Sequence, residues 1–434
     1  MAERTYGWNR RRFLRRSLAA SVVLGVGPGL WGCSQSGSPR AAPPADLRRL
    51  KSNIPNLSGR LQRTRVTNDP STEVWLPEGF TLREVARTGH APAPGSAYKW
   101  HPQPDGGAVF AMPDGGWAYL SNSEVDIFRH GGVGALRFSP AGELVAAYSV
   151  CSGTTNNCAG GPTPWGTWLS CEEIDAGLVY ECDPAGQRLA VPLPALGSFE
   201  HEAAAVDPRD GFIYMTEDKP DGLFYRFLPA EFVRGRRPDL RSGRLQALVV
   251  EGGDVLSTRR VEWVDVPLPN PVLAAEDPAR IQPATRLQLP EAQRFNGGEG
   301  CWYHAGMVYF TTKGDNRVWG LDIDGARIDL VYDKASEAAF NPGIDDVDNL
   351  TVSPGGDILV AEDGAQMRLV VVGPDVKPFE LVNIVGHRAS EITGPAFSPD
   401  GSRLYFSSQQ GPAPDDAPSD GRTYELRGPF FVPA

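Results

Sequence analysis

The chain lacks three features that define common classes of protein. Helical hydrophobic periodicity is nearly absent from its 434 residues, and no apolar run approaches the ~20 residues needed to span a bilayer as a helix. Basic charge is scarce too, because 42 Lys and Arg residues stand against 53 Asp and Glu residues, which leaves a net charge of −11. A phosphate backbone is bound by a basic face, so we expect no nucleic-acid partner.

Familiar catalytic motifs are also missing. The sequence contains no HExxH, GxSxG or CxxC motif, and none of its six histidines is paired at metal-ligand spacing. These absences argue against a zinc peptidase, a Ser-His-Asp hydrolase and a zinc ribbon. The cysteines leave two local disulfides open, Cys151–Cys158 and Cys171–Cys182, and at least one further thiol free or metal-bound, the candidates being Cys151, Cys158, Cys171, Cys182 and Cys301.

The first 32 residues are typical of an export signal. Arg10-Arg11-Arg12-Phe13-Leu14-Arg15 precedes a short apolar run, which resembles a twin-arginine signal peptide. Leu30-Trp31-Gly32-Cys33 resembles a lipobox, so Cys33 is a candidate lipidation site, and simple cleavage with release is the alternative. We therefore expect a periplasmic or extracellular protein whose membrane contact is limited to a lipid anchor at Cys33. Residues 33–72 are rich in Ser, Pro, Ala and Arg and predict a flexible tether.

Residues 73–434 predict a single all-β domain. Gly 49 and Pro 39 make the chain rich in turns, and proline-started turns with glycine repeatedly precede aliphatic or aromatic strands, as at 353–361 and 398–406. The two turns lie 45 residues apart, which is the size of a propeller blade. We predict a monomeric β-propeller of six to eight blades, six being preferred, with an elaborated loop in 229–290. An array of β-sandwiches is the alternative fold.

A propeller gathers polar residues of its inner strands around one axis, so carboxylates embedded in apolar or small-residue strands are the candidates for chemistry. Burial of a lone carboxylate is costly, which favours pairing or metal binding. Carboxylates suit calcium, and carboxylates with a thiolate suit iron. Surface acids in water are the alternative for each one alone. The candidates are Asn122, Glu124, Glu172, Glu173, Glu202, Asp218, Glu299, Asp363 and Glu391, with Cys158 as a thiolate.

Several segments, in this order, resemble the PhoX-type family of secreted alkaline phosphatases and their uncharacterised relatives. The matching stretches are Asn157-Cys158-Ala159-Gly160-Gly161, Pro164-Trp165-Gly166-Thr167-Trp168 followed by Cys171-Glu172-Glu173, His201-Glu202, and residues 393–401. The twin-arginine leader also fits. The resemblance implies a propeller whose axial site holds Fe³⁺ and Ca²⁺ and hydrolyses a small phosphate ester.

The resemblance also implies roles for particular residues. Cys158 would be the iron thiolate, and Glu202 and Glu299 iron carboxylates. Glu173, Asp218 and Asp363 would bind calcium, with Glu172, Glu124 and Asn122 as further candidate ligands. No catalytic residue beyond the metal ligands is identified.

One departure from the family puts its activity in doubt. The phosphatases are expected to carry an arginine where this chain has Gly297, and Arg294 and Lys313 are the candidate substrate-binding replacements. Three functions therefore stay open: a phosphoester hydrolase, another propeller hydrolase or redox enzyme on a different substrate, and a non-catalytic metal-binding propeller of the cell envelope.

Overall fold

The computed structural model describes residues 50–252, 258–273, 279, 281–335, 343–364, 366–372, 377–414 and 417–433. The predicted signal peptide (1–32) and the lipidation site at Cys33 lie outside these residues. Within the described ranges, no helix is long and apolar enough to cross a membrane.

The predicted tether ends earlier than residue 72. Residues from 50 onward belong to the folded body, where β1 (Leu50–Ser52) pairs with β29 (Phe431–Pro433) and a 3-10 turn at Ile54–Leu57 follows. Ile54 and Leu57 are buried in a cluster with residues of the C-terminal strands. Burial of these two aliphatic side chains, together with the pairing of β1 with β29, offsets the entropy lost in ordering the segment.

The described residues form six antiparallel blades around one axis, which confirms the predicted propeller. Each blade begins with the strand nearest the axis. The strands are, for blade 1, β5 (Pro104–Ala111), β6 (Trp117–Ser123), β7 (Gly131–Phe138) and β8 (Leu144–Thr154); for blade 2, β9 (Asn157–Pro162), β10 (Trp168–Glu172), β11 (Val179–Cys182) and β12 (Val191–Pro192); for blade 3, β13 (His201–Val206), β14 (Ile213–Glu217), β15 (Phe224–Pro229) and β16 (Gly243–Val250); for blade 4, β18 (Gly298–His304), β19 (Met307–Thr312), β20 (Arg317–Asp322) and β21 (Arg327–Asp333); for blade 5, β22 (Val347–Val352), β23 (Ile358–Glu362), β24 (Arg368–Val372) and β25 (Phe379–Val385); and for blade 6, β26 (Ile392–Phe397), β27 (Arg403–Ser408), β28 (Arg422–Arg427) and the N-terminal β4 (Thr81–Arg87).

The ring is closed by strands from both ends of the chain. The six inner strands contact one another in sequence, and β26 of blade 6 returns to β5 of blade 1. β4 completes blade 6 by pairing with β28 over Thr81–Arg87. β2 (Leu61–Val66) and β3 (Asp69–Pro77) extend blade 5, where β3 pairs with β25. Both closures bind the N-terminal segment to C-terminal strands, so the propeller behaves as one unit.

The predicted elaborated region leaves the blade pattern after β16. β17 (Arg259–Asp265) pairs with β16 and, through two residues, with β21 of blade 4. Short 3-10 turns occupy Thr285–Gln288 here, and Pro194–Leu196 and Lys313–Asp315 elsewhere. The chain then returns to the axis at β18.

The repeated turns have the geometry that their sequence predicts. In the turn before β27, the Gly401 N–H donates to Ser398 O at 2.8 Å, and Gly401 takes φ = 68°. Asp400 accepts a hydrogen bond from the Ser398 hydroxyl. The glycine supplies the left-handed conformation, and the Ser-Pro-Asp segment supplies the turn.

Candidate metal centre

The six inner strands present equivalent residues to one end of the axis. The second residue of each strand is Asp105, Cys158, Glu202, Glu299, Asp348 and, in blade 6, Thr393. A second set directly follows the second strand of each blade: Glu124, Glu173, Asp218, Lys313, Asp363 and Gln409. The blade topology therefore brings together, at one end of the axis, side chains that are up to 304 residues apart in the chain.

A β-bulge accompanies every one of these inner positions. In each blade the pairing between the first two strands shifts at the start of the inner strand, as between His201 and Ala204 in blade 3 and between Pro104 and Gly107 in blade 1. The same shift is present in the other four blades. A bulge inserts one residue without a partner and changes where the strand directs its side chains. The acidic or thiol residues of the inner strands of blades 1 to 5 lie inside these bulges, whereas Thr393 of blade 6 directly precedes its bulge.

Small residues follow the bulges because the inner strands approach backbone to backbone. A Cβ at Gly161 would stand 1.7 Å from Ala204 O, and one at Gly106 would stand 2.4 Å from Ala159 Cα. A Cβ at Gly300 would stand 2.6 Å from Leu350 N. The inner strands are therefore in direct backbone contact below the cluster, and the acidic side chains meet at one end of these strands.

The side chains form four groups whose ligand atoms lie within 4.8 Å of one another. Successive groups share Cys158, Glu202 and Asp348, so the donors make one continuous cluster. Among the described residues the groups are Asp105–Glu124–Cys158, Cys158–Glu173–Glu202, Glu202–Glu299–Asp348 and Asp348–Asp363–Glu391.

The middle of this cluster has the clearest need for cations. Glu202 is fully buried, and within the described part of the chain neither of its carboxylate oxygens has a hydrogen-bond partner. Glu299 Oε1 is likewise buried without a hydrogen bond. Buried polar atoms in native proteins are almost always satisfied, so these oxygens call for a partner that the described residues do not supply, and a cation bound by the surrounding carboxylates would be such a partner. Eight carboxyls and one thiol in contact fit the hard-oxygen and mixed thiolate chemistry of calcium and iron.

Neighbouring side chains fix the orientation of several candidate ligands. Gln409 Nε2 donates to Asp105 Oδ2 at 2.7 Å and to Glu124 Oε2. Asn349 Nδ2 donates to Asp348 Oδ1 at 2.9 Å, while Asn349 Oδ1 accepts from the Gly394 N–H. These amides leave other carboxylate lone pairs directed at the cluster, which is the arrangement that supports metal ligands.

The structure brings together most, but not all, of the residues expected from the sequence. Cys158, Glu202, Glu299, Glu173, Asp363 and Glu124 lie in the four groups. Asp218 lies beside Glu173, whose pKa is raised well above its ordinary value by burial first and then by the charges of Glu124, Glu299 and Asp218.

Glu172 and Asn122 do not face the cluster. The Glu172 carboxylate accepts the Thr155 N–H at 2.9 Å and the Leu178 N–H at 3.3 Å, because adjacent strand residues point to opposite faces. Asn122 Nδ2 donates to the Ala159 carbonyl at 2.7 Å, and its Oδ1 accepts from Trp168 Nε1. Both residues therefore support blade 2, the blade of Cys158, and neither presents a free oxygen to a metal.

The two candidate substrate-binding residues have different surroundings. Arg294 Nη1 donates to the carbonyl of Arg286 at 2.7 Å and its Nη2 to that of Leu289, so its guanidinium ties down the preceding loop and does not reach the cluster. Lys313 does lie in the cluster, with Nζ 2.8 Å from Asp363 Oδ2.

The proposed local disulfides are not formed. All five cysteines of the body are buried free thiols. The Cys158 thiol instead points to Asp105 Oδ1, 3.7 Å away.

Two cluster residues, Asp105 and Asp348, are not among those that the sequence predicted. Asp105 is followed by Gly106-Gly107-Ala108, as Glu202 is followed by three alanines. A search for an acidic residue ahead of two or three small residues would have found Asp105. Asp348 carries no such signal, because Asn349 and Leu350 follow it and its place becomes visible only from the blade register.

The electrostatics of the cluster reflect crowding of like charge. Burial, with Glu299 and Glu173 nearby, holds the pKa of Glu202 well above its ordinary value. Burial raises the pKa of Glu124 to about 7. Burial, with Asp105 and Glu202 adding to it, also raises the pKa of the Cys158 thiol. Without cations, the raised pKa values favour the protonated forms of these carboxyls and of the thiol, and bound cations would displace the protons.

A pH dependence follows for protein freed of metal by a chelator. A carboxyl whose pKa is raised in the folded state binds more protons in the folded than in the unfolded protein. Its contribution to the free energy of unfolding is therefore fully present below about pH 4.5 and is lost as the pH rises through 7. For Glu124 alone, a change from 4.5 to about 7 corresponds to about 3 kcal/mol. We expect the melting temperature of chelated protein to fall between pH 5 and pH 8. Differential scanning calorimetry with added calcium should abolish that fall, and an unchanged slope would contradict cation binding by these carboxylates.

The fold and the cluster define a six-bladed propeller with an axial centre of acidic and thiol donors. The family model for "Alkaline phosphatase PhoX" matches residues 139–180 and 174–338, which include Cys158, Glu173, Glu202 and Glu299. PhoX of Pseudomonas fluorescens, solved in complex with vanadate, a transition state analogue, has a TM-score of 0.69 at 15% identity and covers 88% of this chain and 98% of its own. In both sequence and fold, the chain is therefore similar to PhoX-type alkaline phosphatases, the resemblance that its sequence motifs predicted.

Other structural matches are more distant. A Bacteroides thetaiotaomicron protein of unknown function has a TM-score of 0.48 at 10% identity, covering 80% of this chain and 76% of its own. A gluconolactonase from Xanthomonas campestris has a TM-score of 0.42 at 13% identity, covering 87% and 97%. At these TM-scores the two matches carry no information on function. A comparison with curated protein sequences found no significant match.

Proposed function

We propose that the chain is a metal-dependent phosphoester hydrolase, with iron and calcium held at the axial end of the propeller. The main support for this proposal is the buried Glu202 carboxylate. Its oxygens have no hydrogen-bond partner among the described residues, and they lie in the middle of nine neighbouring side chains that could ligate a metal. The match of residues 139–338 to the PhoX alkaline phosphatase family model supports the phosphate ester as substrate. Export by the twin-arginine route belongs to the same proposal and rests on the leader sequence alone.

Each part of the cluster has a distinct task in this proposal. Cys158, Glu202 and Glu299 would hold iron, while Glu173, Asp218 and Asp363 would hold calcium, joined by Asp105, Glu124, Asp348 and Glu391. Bound cations would polarise the phosphate oxygens and activate a nucleophilic oxygen. Gln409 and Asn349 keep Asp105, Glu124 and Asp348 in orientation. The ester would approach from the side of Asp363, whose side chain is 39% exposed.

A non-catalytic metal-binding propeller is the second candidate, and one observation favours it. Gly297 has no side chain that could reach a phosphate. Its φ of 69° favours glycine, and a Cβ at this position would stand 3.2 Å from Asp218 Oδ1. Arg294 is held by backbone carbonyls and Lys313 by carboxylates. A site without a free guanidinium would bind an ester weakly even with its metals in place.

Turnover of a simple phosphate monoester separates the two candidates. The full chain, exported through its own leader with calcium present, is assayed with p-nitrophenyl phosphate before and after chelation. We expect hydrolysis that chelation abolishes and that iron and calcium added together restore. Glu172→Gln should retain this activity, because the Glu172 carboxylate binds loop N–H groups outside the cluster. Stoichiometric bound metal without hydrolysis of monoesters or diesters would overturn the enzyme and leave the metal-binding propeller.

A further inference from the structure

Lys313 breaks the chemical pattern of the blades. The residue that directly follows the second strand is a carboxylate in blades 1, 2, 3 and 5, and glutamine in blade 6. In blade 4 the same position holds Lys313. The blade register therefore places a cationic side chain where the repeat elsewhere supplies an anionic one.

The ammonium of Lys313 lies among three carboxylates. Its Nζ is 2.8 Å from Asp363 Oδ2, 3.6 Å from Glu299 Oε1 and 3.8 Å from Asp348 Oδ2. Glu299 and Asp348 are almost fully buried, whereas Lys313 is 32% exposed. The ammonium thus contacts members of the two groups in blades 3 to 6, Glu202–Glu299–Asp348 and Asp348–Asp363–Glu391. No such cation contacts the two groups around Cys158 within the described residues.

We propose that Lys313 is a built-in cation that takes the place of one divalent ion on the Glu299–Asp348–Asp363 side of the cluster. This inference rests on the proposed metal centre and narrows it. The Cys158 side keeps its full affinity for metal, while the Lys313 side holds at least one ion fewer than its carboxylates could bind. A role in binding substrate, expected for Lys313 from the sequence, is replaced by neutralisation of ligands.

The charges explain why the lysine and an extra ion exclude each other. A divalent ion bound by Asp348 and Asp363 would stand within a few ångströms of the ammonium, and the two would repel each other strongly in a partly buried site. The ammonium also uses a lone pair of Asp363 that the ion would need. Removing the positive charge frees that oxygen and removes the repulsion, so calcium affinity at this position should rise at least about tenfold.

The test compares Lys313→Met with Lys219→Met. Methionine keeps the length of the side chain and removes the charge. Lys219 is a matched control because it also bridges two carboxylates on this face, Asp175 and Glu200, without contacting the four groups. Full-length proteins are stripped with chelator and titrated with calcium alone by isothermal calorimetry, and bound ions are counted by elemental analysis after gel filtration.

The Lys313→Met protein should bind one more calcium per chain than wild type, or bind its weakest calcium at least about tenfold more tightly. Lys219→Met should match wild type. Equal stoichiometry and affinity in wild type and Lys313→Met would overturn the proposal while leaving the metal centre intact. No bound ion in either protein would overturn the metal centre itself. If Lys313→Met does not fold, the same calcium stoichiometry and affinity are measured for Lys313→Gln, which retains a hydrogen-bond donor for Asp363, and the same results are expected.

Discussion

Replacing Glu202 by glutamine is expected to remove most of the bound metal and at least about a hundredfold of the phosphoesterase activity. Changes to residues that merely support metal ligands already cost about 10–100-fold in affinity or activity, and Glu202 belongs to two of the four donor groups. Glutamine keeps the shape of the side chain, so the loss of metal and activity would result from removal of the carboxylate charge. Elemental analysis and hydrolysis of p-nitrophenyl phosphate measure the two effects.

The same substitution should stabilise the protein when metal is absent. In chelated wild-type protein the Glu202 carboxyl is buried beside Glu299 and Glu173, so at neutral pH it must either carry a charge among like charges or take up a proton. The neutral amide of glutamine does neither, so the free energy of unfolding of Glu202→Gln should be about 1–3 kcal/mol higher than that of wild type in chelator, and lower than that of wild type in calcium. Urea titrations under both conditions provide the measurement.

Glu172→Gln is the matched control for this prediction. Glu172 is a buried glutamate of the neighbouring blade whose oxygens bind backbone N–H groups. Its substitution should lower stability in both conditions and leave metal content unchanged. Wild-type metal content in Glu202→Gln, or a loss of metal in Glu172→Gln as large as in Glu202→Gln, would contradict the assignment of ligands.

Replacing Cys158 by serine is expected to remove iron and to leave most of the calcium. Cys158 belongs to two donor groups that it shares with Asp105, Glu124, Glu173 and Glu202, and a thiolate favours iron over calcium. Burial and the surrounding carboxylates raise the pKa of the thiol, so only a bound cation would keep it deprotonated at neutral pH. Separate iron and calcium contents, with activity, are measured for wild type and Cys158→Ser.

Cys171→Ala controls for the loss of a buried thiol. Cys171 is fully buried in an apolar cluster with Leu169 and Val179 and belongs to none of the four donor groups. Its substitution should cost stability through lost packing and leave the ratio of iron to calcium as in wild type. Iron retained in Cys158→Ser would refute the thiolate assignment, and calcium would then be the only cation to assign to the centre.

The fold could be predicted from local chemistry. Proline-started turns such as 398–401 fix their own geometry, and their spacing equals the length of a blade. The closing strand β4 could not be predicted, because its pairing with β28 joins residues more than 300 positions apart. That residues 50–72 are folded could not be predicted either, since their folding depends on contacts of Ile54 and Leu57 with the C-terminal strands.

The site was predictable where a ligand and its packing share a segment. Glu202 and Cys158 precede small residues that allow neighbouring backbones to approach. The sequence therefore indicates each of them by two signals, the ligand-type side chain and the small residues after it. Glu172 was included wrongly because the choice between adjacent acids depends on which face of β10 each one occupies. Asp348 and the counter-ion role of Lys313 depend on the blade register, which appears only once the six inner strands are aligned.

Metal analysis of the full chain, exported through its own leader in the presence of calcium, tests the central claim most directly. The account predicts iron and calcium in stoichiometric amounts, with iron lost in Cys158→Ser and most of the metal lost in Glu202→Gln. Protein that carries neither metal, and whose melting temperature does not respond to calcium, would contradict it.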